Sequence, residues 1–126
     1  MTAVADFHYR VQKVFEPNGR GVVALVDELL TLSGERALRL DCHDEECRIR
    51  TLDVQPEESI ELPLQNSVFR ALLARVAALC NERMADSVSP YGGEGEIALG
   101  SNPPTILRVA FVNRPGEQRL EVRRIA

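Results

Sequence analysis

At 126 residues, with 44% apolar and 27% charged side chains, the chain has the size and composition of one domain with a sizeable core. A net charge of −4 argues against a nucleic-acid module that relies on bulk positive charge, and 5% aromatic content with no Trp argues against a base-stacking platform. No apolar run approaches the ~20 residues that span a bilayer, so membrane insertion is not expected.

Met1-Thr2-Ala3-Val4-Ala5-Asp6 lacks the charged-then-apolar form of a secretory signal, which points to a cytoplasmic protein. Phe7-His8-Tyr9-Arg10-Val11 alternates apolar and polar, predicting a short strand with His8 outward. Pro17-Asn18-Gly19 marks a turn. Gly21 to Ser33 reads as a helix with Val22, Val26, Leu29 and Leu30 on one side, and Gly34 stands where a left-handed C-cap is expected. Ala37 to Cys42 and Cys47 to Leu52 alternate as two strands of a hairpin around the polar turn His43-Asp44-Glu45-Glu46. Pro56-Glu57-Glu58 ends that pair, and Ile60-Glu61-Leu62 is a short extended segment.

Asn66 to Cys80 is a helix for which Asn66 or Ser67 is the expected N-cap. Val68, Leu72, Val76 and Leu79, with Phe69, Leu73 and Cys80, form its apolar face. Pro90 and the glycines of Gly92-Gly93-Glu94-Gly95-Glu96 predict a tight turn leading to a strand over Glu96–Gly100. Ser101-Asn102-Pro103-Pro104 turns into a strand over Ile106–Val112, with Leu107, Val109 and Phe111 on one face and Arg108 on the other. Asn113 to Glu117 is a turn and Leu120 to Ile125 the last strand. The elements add up to an α+β single domain: a mostly antiparallel sheet packed against two main helices.

Cys42, His43 and Cys47 are zinc-ligand types, but they supply three local ligands at no standard spacing, and Cys80 would have to arrive as the fourth. Two small strand residues flanking a turn, with His43 exposed, is the plainer reading, and no metal is expected. An odd cysteine count suits a reduced compartment better than a disulfide framework. Asp44, Glu45 and Glu46 lack the spacing and glycine of a calcium loop. Neither His8 nor His43 lies in a nucleophile–base motif, so no catalytic residue and no cofactor are assigned. The glycine stretch follows a helix, enters a strand and carries two carboxylates, the reverse of a phosphate cradle. Arginines are the remaining candidates. Arg75 interrupts the polar side of the long helix, Arg108 projects from a strand, and Arg48 and Arg50 share one side of theirs. Strand arginines spaced by two are ordinarily a solvated face, but they can grip a phosphate or a partner's carboxylates.

The order of these pieces resembles the domain that precedes the motor in type II secretion and type IV pilus assembly ATPases. Helix Val22–Ser33 followed by Ala37-Leu38-Arg39-Leu40-Asp41 is similar to that family's helix and "S-D-I-H-I-E" strand. Cys47-Arg48-Ile49-Arg50-Thr51 stands where the family has "V-R-Y-R-I". Arg75-Val76 resembles the start of "R-I-K", Pro90 falls where "P-Q-D-G-R" begins, and Arg108-Val109-Ala110 resembles "R-V-S". Pro115-Gly116-Glu117 with Val122-Arg123 resembles the "P-T…G-E…V-L-R" ending. The resemblance covers about four-fifths of the chain.

The departures bear on function. No G-x-x-x-x-G-K-[ST] loop is present, so ATP hydrolysis of that kind is not expected from this chain. In the family, arginines of this domain reach toward nucleotide held by the motor. Arg108 keeps one such position, whereas Glu94 or Glu96 replaces the arginine after "D-G". The "S-D-I-H" acid and histidine are Ala37 and Arg39. The resemblance therefore implies a non-catalytic cytoplasmic domain that docks on such a motor or self-associates as a homo-oligomer, with the exposed strand faces and the Arg75/Arg108 side as contact surfaces. The alternatives are a small-ligand domain that senses a nucleotide or metabolite, and a metal-dependent enzyme at Cys42/His43/Cys47.

Overall fold

In a computed structural model, residues 3–15, 21–44, 46–52, 59–62, 64–100 and 102–126 are described, without the side chains of residues 3–6 and 8. They form α1 (Ala3–Val14), α2 (Val22–Ser33), β1 (Leu38–His43), β2 (Glu46–Thr51), β3 (Ser59–Leu62), α3 (Asn66–Arg83), β4 (Gly92–Leu99), β5 (Thr105–Arg114) and β6 (Glu117–Arg124). All strands join one antiparallel sheet in the order β3-β2-β1-β6-β5-β4. Two meanders, β1–β2–β3 and β4–β5–β6, thus meet along the β1–β6 seam, with α3 as the link between them. The expected α+β domain with its antiparallel sheet is what the chain adopts.

Strand parity separates the two faces of the sheet. Leu38, Leu40 and Cys42 of β1, Cys47 and Ile49 of β2, Leu107, Val109 and Phe111 of β5, and Leu120 and Val122 of β6 are buried in one apolar cluster. Val26, Leu29 and Leu30 of α2 complete that cluster with Phe69, Leu72, Leu73, Val76 and Cys80 of α3. α2 and α3 pack on each other and on this side of the sheet, and α1 packs on α2.

Several local expectations are corrected. The Phe7–Val11 segment is helix, not strand, because the decisive spacing is Phe7, Val11, Val14 and Phe15, all buried, while Tyr9 is 56% exposed. A strand would have placed Tyr9 beside Phe7 and Val11. Instead the Phe7 ring lies 5.8 Å under the Arg36 guanidinium. The outward orientation given to His8 and the Pro17-Asn18-Gly19 turn lie outside the described residues, as do Pro56-Glu57-Glu58. Gly34 is right-handed (φ −68°, ψ −21°), and the helix end is closed by N–H bonds from Glu35 and Arg36 to Leu32 O.

α3 begins one residue earlier than a cap at Asn66 would allow. Extended Gln65 is the N-cap, its carbonyl accepting from Val68 and Phe69, while the Asn66 side chain donates to Gln118. The helix continues to Arg83, beyond the expected end at Cys80.

The largest correction concerns the glycines. Gly92 to Glu96 is not a turn but the first half of β4, and the turn lies before it. Asn81 closes that turn by imitating a strand. Its Oδ1 accepts from Val88 N–H at 3.0 Å and from Ser87 Oγ, and its Nδ2 donates to Val88 O. The glycines serve close approach rather than chain reversal. A Cβ on Gly95 would stand 3.0 Å from Cys80 Sγ, so β4 lies directly on α3 there. Gly92 has φ +150°, and a Cβ there would stand 2.7 Å from Phe111 O.

The remaining strands follow the pattern closely. His43 pairs with Glu46, and Asp44, which leaves β1, takes φ +50°. β5 runs past Val112 to Arg114, and Arg114 pairs with Glu117 around Pro115-Gly116. No helix among the described residues is long and apolar enough to cross a membrane.

Candidate functional site

The second face of the sheet is where the chain has concentrated its charge. Every strand contributes its alternate residues there, and no described helix packs over them. Register builds the rows. Glu61, Arg48, Asp41 and Arg119 stand side by side across β3, β2, β1 and β6, alternating in sign. The next row places Arg50 beside Arg39, and Arg39 beside Glu121. Cross-strand neighbours of opposite charge support a sheet modestly, by about 0.2–1 kcal/mol each.

The ion pairs on this face are loose and differ in exposure: Glu117 and Arg119 are solvated, whereas Arg39 Nε is buried and, among the described residues, has no hydrogen-bond partner. Arg39 is 3.5 Å from Asp41 through Nε and 3.7 Å from Glu121 through Nη1, and Arg119 is 3.6 Å from Glu117. Arg48 does not take Glu61 as its partner but donates to Ser59 Oγ at 3.2 Å. Such pairs hold little folding energy, so their charges are available to a partner.

Arg48, Arg50 and Arg108 thus share one face, but not one site. Arg108 lies on β5, three strand spacings of roughly 4.8 Å from β2. It is 58% exposed in its side chain and pairs at 3.7 Å with Glu96, which also accepts from Arg83 Nε at 3.4 Å. Arg75 is elsewhere. It stands on α3 in the helical layer, half-buried, with its Nε buried and, among the described residues, without a hydrogen-bond partner. The expected Arg75/Arg108 side therefore does not exist, because the sheet separates the two.

The cysteine–histidine cluster also resolves differently. Cys42 and Cys47 face each other across the hairpin, Cα to Cα 4.0 Å, and are joined as a disulfide, contrary to the expectation from their odd number. Neither thiol is free for a metal. His43 points to solvent on the other face, 3.9 Å from Asp44. Cys80 lies under β4 at the far side of the sheet, its thiol pushed up to about 11 by burial, so it is protonated and unreactive at neutral pH. Among the described residues no group of three or more His, Cys, Asp or Glu side chains could hold a metal ion.

Sequence reading missed the polar groups that orient the two layers. Asn113 and Gln118 sit on the buried parity of β5 and β6 among aliphatic neighbours. Gln118 accepts from Asn66 and donates to Arg114 O, while Asn113 Nδ2 donates to Arg70 O and its Oδ1 accepts from Arg70 Nε, both at 3.3 Å. These bonds pin the start of α3 to the β5–β6 turn. The period-two count that marked Leu107, Val109 and Phe111 as internal, carried two residues further, reaches Asn113.

Along the β4 edge, Arg83, Met84, Ser87, Glu94, Gly95, Glu96 and Arg108 line an open cleft of about 400 Å³. The end of α3 forms one wall and the edge strand the other. Set against known proteins, the chain matches no protein-family model and no curated protein sequence.

Proposed function

We propose that this chain is a non-catalytic protein-interaction domain that meets its partner over the helix-free face of the sheet. The observation that carries the proposal is the segregation of the fold. One face supplies the core, and the other displays Arg48, held by Ser59, Arg50, and Arg108 in a 3.7 Å pair with Glu96, contacts that a partner's carboxylates can replace. Arginine is the cation best suited to this, since its planar fork binds carboxylates bidentately. The ordered likeness to the pre-motor domain of secretion and pilus ATPases supports a motor of that kind, or a second copy of the chain, as partner. Association of two such charged surfaces is steered electrostatically and weakens with salt.

The test is size exclusion with light scattering, and pull-down, using the purified chain and a secretion or pilus ATPase encoded with it. A complex or oligomer weakened at least tenfold by joint Arg48→Glu and Arg50→Glu substitution is the expected result. A strict monomer that ignores the motor overturns the proposal. A small-ligand reading has less behind it: the cleft is large enough for a small ligand, but both of its arginines already face Glu96.

A further inference from the structure

β4 is the last strand of the sheet, and among the described residues nothing pairs with its outer side beyond Gly92. Which of its backbone groups are left over follows from the bonds that are made. Asn113 N–H donates to Tyr91 O at 2.9 Å across the β4–β5 ladder. In an antiparallel pair every second residue exchanges bonds with its neighbour, so Gly93, Gly95, Ile97 and Leu99 turn their N–H and C=O groups inward to β5. The residues between them turn theirs outward. Gly92 shows this directly, since its carbonyl accepts from Ser89 N–H at 3.2 Å on the outer side. Glu94, Glu96 and Ala98 therefore hold their N–H donors and C=O acceptors toward the open edge.

We infer that this edge receives an extended segment of a partner protein as a seventh, antiparallel strand. The segment carries a Lys or Arg on the outer side and an aliphatic residue on the inner side. Backbone pairing supplies the attraction common to strand addition, and side chains on alternate positions supply the selectivity. On the outer side, Glu94 is exposed and in no ion pair among the described residues, whereas Glu96 is balanced by Arg108 and by Arg83. Arg83 reaches it from α3 around the edge, in a 3.4 Å half-exposed pair that the added strand displaces. A cation opposite Glu94 completes the row. A second copy would instead bring another edge of the same sign against this one, the usual device by which edge strands avoid pairing with themselves. On the inner side, the end of α3 overhangs the edge, and Met84, 68% exposed, offers apolar surface to a side chain of the added strand.

This inference rests on the interaction reading but uses a different surface, and its failure is separable from that reading's. The probe is a labelled ten-residue peptide of alternating Lys and Val, compared with a same-composition peptide whose Lys and Val are grouped in blocks. Anisotropy reports binding, and amide hydrogen exchange reports the site. The alternating peptide is expected to slow exchange at least tenfold at Glu94, Glu96 and Ala98 while leaving Val109 and Phe111 unchanged. Ala98→Pro removes one outward donor without touching the β4–β5 ladder and is expected to weaken binding about tenfold. Glu94→Lys, which leaves the backbone intact, is expected to do the same. Arg48→Glu with Arg50→Glu is expected to leave peptide binding unchanged. No binding, equal binding of the two peptides, or binding that leaves those three amides unprotected overturns the inference. So do amides already slow in a dimer of the chain alone.

Discussion

The two faces of one sheet share every strand and differ in nearly everything else. On β1, Leu38, Leu40 and Cys42 are buried, and the residues between them, Arg39 and Asp41, are half-buried among the charges of the other face. On β6, Leu120 and Val122 are buried, while Arg119 and Glu121 alternate with them on the charged face. Packing energy therefore resides on one side and exchangeable charge on the other. The lesson is that a single alternating pattern can specify a fold and a binding surface at once, with little conflict between them.

The sharpest way to break the contrast is to remove volume on each side. Leu40→Ala, at a fully buried position, is expected to cost about 2–5 kcal/mol in urea denaturation, because the cavity cannot collapse between sheet and helices. Arg119→Ala, one strand over on the charged face, is expected to change stability by no more than about 0.5 kcal/mol. Comparable losses from the two would mean that the charged face holds the fold as well.

Next in size is the contact between β4 and α3. Gly95→Ala sets a methyl group 3.0 Å from Cys80 Sγ and 3.2 Å from Val88 Cγ1, and overpacking of this kind costs about 1–3 kcal/mol. Combining it with Cys80→Ala is expected to be less damaging than the sum of the two single changes, since the sulfur that meets the new methyl is gone. Strict additivity would show that β4 moves away instead.

Gln118→Ala is expected to cost about 1–3 kcal/mol, because it leaves Asn66 without its buried acceptor and Arg114 O without its donor. Equilibrium unfolding measures it, and hydrogen exchange should show the loss concentrated at the start of α3. Full stability in this variant would place the orientation of α3 in its apolar face alone.

The smallest effect belongs to the surface pair of Arg10 and Glu35, joined by two bonds of 2.8 and 2.9 Å. The bond from Arg10 is the chief reason the Glu35 carboxyl lies below its ordinary value of 4.5. A carboxyl depressed on folding adds stability above its unfolded value and loses it as pH falls through the folded one. Solvent screens the pair, so Glu35→Gln is expected to lower stability at pH 7 by less than about 1 kcal/mol. The difference from the parent should shrink as the pH is taken below 4.5. A loss that persisted at acid pH would assign Glu35 a role in packing.

Much of the architecture could be read from residue order alone. The hairpin of β1 and β2, the long helix, and the inward set Leu107, Val109 and Phe111 follow from two periodicities, because burial on one side imposes period two on strands and 3.6 on helices. Arg48, Arg50 and Arg108 were legible as outward strand positions for the same reason. Short range failed at α1, where Phe7, Tyr9 and Val11 fit a strand as well as a helix and only Val14 and Phe15 break the tie. It failed again at Gly92 to Glu96, since glycine looks the same whether it reverses a chain or lets a strand lie against Cys80. The sheet order, the separation of Arg75 from Arg108, the pairing of Cys42 with Cys47 and the open edge at Glu94, Glu96 and Ala98 were decided by tertiary structure. Each depends on which distant segments become neighbours, and local periodicity says only which way a residue faces, never what it will meet.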